Sequence, residues 1–118
     1  KGHYKVEIKI VNDLIKNYLT KYSDKIFLKK GYVEDTLENF SNKISLLHLD
    51  LDIFNAYKFS LEKLYPLVSN GGVIAFDEYQ STKKWPGAKK AIDQFISNTG
   101  ETLIHSDIID RYYIIKSK

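Results

Sequence analysis

The 118 residues are 43% hydrophobic and 14% aromatic, enough apolar mass for one domain with a core of its own. Eighteen basic against fifteen acidic side chains leave only +3, spread along the chain, which argues against a nucleic-acid stripe or an anionic membrane surface. Without cysteine there is no disulfide, thiolate-metal or thiol-nucleophile chemistry, so any metal must be held by oxygen or imidazole, as suits a cytoplasmic protein.

No apolar run approaches the ~20 residues that span a bilayer. The start, KGHYKVEIK, has neither a methionine nor the apolar core of a signal peptide, and reads as an excised or processed chain. Val11, Leu14, Ile15, Tyr18, Leu19 and Tyr22 recur at three- and four-residue steps and predict an amphipathic helix over residues 7–22. KIFLKKGY offers a short strand over 26–29, stopped by Gly31, and DTLENFSNK a helical turn with Asp35 or Thr36 as N-cap.

ISLLHLDL, residues 44–51, is almost continuously apolar, as expected of a parallel strand covered on both faces. Tyr57, Leu61, Leu64 and Tyr65 set a helix over 56–68, with SNGG as its stop, and VIAF over 73–76 is the next buried strand. A loop holding Trp85, Pro86 and Gly87 leads to a helix over 88–97 closed by NTG, and strands over 102–106 and 111–115 meet at SDIID. Strands alternating with helices predict a single α/β domain over residues 1–118, with right-handed crossovers, a mostly parallel sheet and a C-terminal antiparallel hairpin.

Ligands of open α/β sheets bind beyond the carboxyl ends of the strands. Asp50 and Asp52 end one strand and, if it stays extended, project to one side roughly 6 to 7 Å apart. Asp77 and Glu78 end the next, so two sets of carboxylates converge across one crevice, an oxygen-rich setting that suits Mg²⁺. His48 reads as a hydrogen-bonded core histidine, and His3 and His105 as structural or solvated. No G-x-G-x-x-G, Walker-A loop or G-x-S-x-G elbow occurs.

GYVEDTL, then LLHLDLDIFNAYKFSLEKLYPLVSNGGVIAFDEY, then WPGAKKAIDQF resembles the C-terminal two thirds of the macrocin O-methyltransferase family. These are class I enzymes dependent on S-adenosylmethionine, many of which methylate sugar hydroxyls of natural products. The resemblance covers residues 26–115. It implies a Rossmann-like sheet, Asp50 as Mg²⁺ ligand, Asp52 as general base and Asp77 with Glu78 as further ligands, where family members commonly carry two aspartates. It also sets Tyr32 and Val33 at the turn bordering the adenine, and implies a small-molecule hydroxyl as substrate.

In that family the sheet order is 3-2-1-4-5-7-6, and the cofactor is held chiefly after strands one and two. Neither strand is present in this sequence. The chain is therefore expected to be a partial domain, inactive alone, with one sheet edge open to pairing with its own copy. Two alternatives predict differently: a truncated Rossmann-like binding or oligomerisation module without activity, and a haloacid-dehalogenase-type phosphatase with Asp50 as nucleophile.

Overall fold

The computed structural model describes residues 6–118, so His3 lies outside the described residues. It divides into two compact units, one ending at Tyr32 and one running from Val33 to Lys118.

The first unit holds α1, Ile8–Tyr18, and a 3₁₀ segment, Thr20–Lys25. The helix expected to reach residue 22 stops early because the Thr20 hydroxyl donates to the Lys16 carbonyl and the Ser23 hydroxyl to the Thr20 carbonyl. Local side-chain bonds of this kind compete with the α ladder. Residues 26–29, expected as a strand, form none. A strand needs a ladder partner for its backbone groups, and among the described residues the only sheet has other members.

The second unit opens with one helical turn, α2, Val33–Thr36, which contains Asp35 and Thr36 where an N-cap was expected. Strands β1 (Ile44–Leu49), β2 (Val68–Phe76), β3 (Ile104–Ser106) and β4 (Arg111–Ile115) make a sheet in the order β1-β2-β4-β3. β1 pairs with β2 in parallel, and β4 pairs antiparallel with both its neighbours, so β1, β2 and β3 share one direction. This is the 4-5-7-6 half of the expected order, with the C-terminal hairpin at one edge.

Helix α3, Phe54–Leu64, joins β1 to β2, and α4, Pro86–Thr99, joins β2 to β3. The two helices pack on each other and on a single face of the sheet. Leu49, Ile74, Phe76 and Ile114 point inward there, against Tyr57, Leu61, Ala91 and Ile92 of the helices. Burying each large side chain contributes about 1.5–3 kcal/mol. Both crossovers lie on that face, so β1 is not covered on both sides as its composition suggested: Leu46 is 66% exposed.

The α-helical part of α3 ends at Leu64, since Pro66 has no N–H for the Glu62 carbonyl, and a 3₁₀ turn, Tyr65–Leu67, feeds β2 directly. The expected helix stop, SNGG, is instead the first half of β2, where Gly71 takes φ 79° and donates to the Lys116 carbonyl at 2.8 Å. A Cβ at Gly72 would meet the Ser69 carbonyl oxygen and Val68 Cγ1 at 2.8 Å. Glycine there permits the β1-β2 register shift between Ile44 and Leu46. Gly100, with φ 68°, closes α4 by donating to Ile96 O at 2.8 Å, as the NTG sequence predicts.

Candidate active site

The carboxyl ends of β1 and β2 lie side by side, tied by the Asp77 N–H donating to the Leu49 carbonyl at 3.0 Å. Just beyond, Asp50, Asp52 and Glu78 each bring one carboxylate oxygen to within 4.8 Å of the others. The extended parity expected for the two aspartates does not produce this. Asp52 has φ 61°, and the Ile53 N–H donates across it to Leu51 O at 2.6 Å, a tight turn of the rare positive-φ kind. Aspartate tolerates the left-handed region better than most residues. The turn folds Asp52 back towards Asp50 before α3 begins.

Glu78 is 3% exposed and on the core side of the β2 end. The Tyr57 hydroxyl, fully buried on α3, contacts Glu78 Oε2 and also lies 2.8 Å from Leu49 O. A phenol has one proton, so both bonds form together only when Glu78 supplies the other. Glu78 Oε1 is buried with no hydrogen-bond partner. Burial, followed by the neighbouring Asp50 carboxyl, pushes the Glu78 carboxyl up to about 7, against a smaller lowering by Tyr57. Burial and then Asp50 also push Asp52 upward, and Lys84 opposes them.

The donor set is all oxygen, held by two neighbouring strand ends, with one buried oxygen unpaired. Opposed ligands around Mg²⁺ at about 2.1 Å lie about 4.2 Å apart, and around Ca²⁺ about 4.6–5.2 Å, so the 4.8 Å limit fits a hard divalent cation after at most small side-chain movement.

Asp77 is not one of the three clustered carboxylates, although its charge still reaches Asp52. Its Oδ1 accepts from Arg111 Nε at 3.1 Å and lies 4.0 Å from His48 Nε2. His48 is exposed on the uncovered face of β1, which corrects the core histidine expected from its strand position. His105 has Asp107 and Asp110 oxygens at 2.9 Å from its two ring nitrogens and braces the hairpin turn, a structural role as expected. Tyr32 is 79% exposed at the end of the first unit, and Val33 opens α2.

Tyr57, Lys84 and Arg111 escaped the sequence reading. Tyr57 looked like one more apolar helix position, although its distance from the strand end permits a bond to it. Arg111 is legible only once the β2-β4 register is known.

The sequence profile of the macrocin O-methyltransferase family matches residues 2–113. The chain belongs to that family. The fold is also that of solved methyltransferases. The O-methyltransferase NovP aligns over 84% of this chain and 43% of its own, at 25% identity and a TM-score of 0.65. An apo structure of CalS11, a TDP-rhamnose 3'-O-methyltransferase of calicheamicin biosynthesis, aligns over 94% of this chain and 51% of its own. Its TM-score is 0.71 at 23% identity, a likeness of fold. A second CalS11 structure gives 0.70 at the same identity, covering 46% of that chain. The chain thus spans about half the length of these solved relatives. A search of curated proteins returned no match. Membership in the macrocin O-methyltransferase family sets the phosphatase alternative aside.

Proposed function

We propose that this chain carries the metal-binding and proton-abstracting half of an S-adenosylmethionine-dependent O-methyltransferase acting on a hydroxyl of a sugar or glycosylated natural product. The observation that supports it is Glu78: a buried carboxylate with an unpaired oxygen, beside Asp50 and Asp52, at the strand ends where a family member would bind its substrates.

Asp50 and Glu78 would hold Mg²⁺, with Asp77 the remaining candidate ligand. Bound there, the ion would lower the pKa of the acceptor hydroxyl. S-adenosylmethionine would supply the methyl group, and Tyr32 and Val33 are this chain's residues assigned to the rim of its adenine. Asp52 takes the acceptor's proton. Its upward-shifted pKa makes it a better base than an ordinary surface aspartate, while its turn fixes the carboxylate beside Asp50. Tyr57 holds Glu78 in place from below by its hydroxyl. The pairing of a fixed base with a fixed acceptor converts an encounter into an oriented transfer.

The test is transfer of a labelled methyl from S-adenosylmethionine to a panel of nucleotide-sugar hydroxyls. It uses the chain alone and the chain joined to the N-terminal half of NovP. The reading expects transfer by the joined form, abolished by EDTA and restored by Mg²⁺, and little by the chain alone. Transfer that is indifferent to EDTA contradicts it.

A further inference from the structure

The β3–β4 turn, residues 107–110, reads DIID. Its aspartates suit a turn, but its centre is Ile108 and Ile109, β-branched residues that favour extended backbone and are here 95% and 64% exposed. Neither backbone preference nor burial of the centre closes it. Both ring nitrogens of His105 are committed to it instead: Nδ1 lies 2.9 Å from Asp107 Oδ1 and Nε2 lies 2.9 Å from Asp110 Oδ1. A neutral imidazole has one N–H, so its bare nitrogen would set a lone pair against a carboxylate at hydrogen-bond distance. The geometry is that of the imidazolium, which donates from both nitrogens.

The turn is joined to more than its own hairpin. β4 runs antiparallel to β2 and pairs Tyr112 with Phe76, so the turn lies past the same end of the sheet as Glu78. From the loop after β2, Gln80 Nε2 donates to the Asp110 carbonyl at 2.8 Å, and Arg111 Nη1 of β4 donates to the same oxygen at 2.9 Å. Tyr112 stacks on the His105 ring, centroids 4.6 Å apart, and on Tyr79 at 4.5 Å. Among the described residues, the charged groups gathered at this ring are Asp107 and Asp110, with Arg111 behind the Asp110 carbonyl.

We propose that His105 is a pH-sensitive clamp on this turn. As the imidazolium it draws Asp107 and Asp110 together and fixes the turn at the sheet end that carries the carboxylate cluster; on losing a proton it releases one aspartate, and with it the turn and its hold on Gln80. Asp110 and then Asp107 raise the His105 pKa above its ordinary 6.5, so the clamp is complete below that pH and is lost as pH rises through the higher folded value. Asp107 is 97% and Asp110 77% exposed, so water and salt screen both pairs, and the effect falls on the order of the turn and not on global stability.

The experiment is a nuclear magnetic resonance titration of the ¹⁵N-labelled chain from acid to alkaline pH, with urea-unfolded chain as reference. It follows the His105 ring nitrogens, the backbone amides of residues 107–110 and the Gln80 side-chain amide. Both ring nitrogens are expected to be protonated at low pH, with a midpoint above that of the unfolded chain. The turn amides and the Gln80 amide move with that midpoint, and the heteronuclear NOE of Ile108 and Ile109 falls across it. Asp107→Asn and Asp110→Asn each lower the midpoint, and His105→Gln abolishes the coupled changes.

A His105 midpoint at or below the unfolded reference overturns the proposal. So do turn signals that ignore the midpoint, or that still titrate in His105→Gln. If His105→Gln does not fold, Asp107→Asn at a nearly fully exposed position decides: an unmoved midpoint overturns it.

Discussion

Glu78 is the residue on which the proposed chemistry turns, because its carboxyl is buried and pushed up to about 7. Its folded pKa of about 7 lies above the ordinary carboxyl value of 4.5. It therefore supports the fold fully below about pH 4.5 and withdraws that support as pH rises through about 7. Glu78→Gln is expected to flatten this part of the stability-pH curve and to stabilise the metal-free protein at pH 8 by on the order of 2 kcal/mol. Chemical denaturation at pH 5 and pH 8 checks it. Equal pH dependence in both proteins would mean that Glu78 is not the titrating group. Asp52→Asn separates chemistry from folding, since asparagine also tolerates the left-handed region. Methyl transfer by the joined enzyme should fall about 10²–10⁴-fold while the melting temperature stays within a few degrees. The pairing of LDLD with FDE was legible because both follow apolar runs that must end at the same sheet edge. The turn at Asp52 was not, since nothing in DLDIF marks a positive φ. Nor was the Arg111 bond to Asp77, which depends on a partner 34 residues away.

At the scale of elements, the C-terminal strand is fastened by a second buried acid. Glu101 accepts from the Tyr65 hydroxyl at 2.7 Å, from the Ser117 N–H and hydroxyl, both at 2.9 Å, and from the Lys118 N–H at 3.1 Å. Burial alone would raise its pKa, but these donors outweigh it and hold the carboxyl at about 2. This acid has the opposite sign to Glu78: its support is present above about 4.5 and lost as pH falls towards 2. Glu101→Gln, which turns an amide N–H₂ towards donors, is expected to cost about 1–3 kcal/mol at pH 7. Urea denaturation measures it, and a loss under a few tenths would contradict the clamp. The helices α3 and α4, strands β1 and β4 and the second half of β2 were readable from periodicity and turn residues, whereas SNGG, read as a helix stop, is the first half of β2. The strand expected at 26–29 and the long α1 were not formed. One lacks a ladder partner, and the other loses its carbonyls to Thr20 and Ser23 hydroxyls.

Within the second unit, the sheet has α3 and α4 on one face, and β1 is an edge strand among the described residues. Leu46 on the open face is 66% exposed. An unpaired edge beside exposed leucine favours association with another copy. The mass by light scattering is accordingly expected to rise with concentration, and Leu46→Lys to suppress the rise. A constant monomer mass at every concentration would contradict this. The order 4-5-7-6 followed from the alternation of strands and helices together with the family resemblance. The one-sided covering did not, because ISLLHLDL is apolar enough for two covered faces whether or not both are present.

Asp50 and Glu78 are proposed to hold a divalent cation beside the base Asp52. Calorimetric titration with Mg²⁺ at pH 8, where Glu78 is charged, tests it most directly. The account predicts one site per chain, with binding lost in Glu78→Gln and in Asp50→Asn while both variants remain folded. Absence of Mg²⁺ binding by the folded wild type, or undiminished binding by Glu78→Gln, would contradict it.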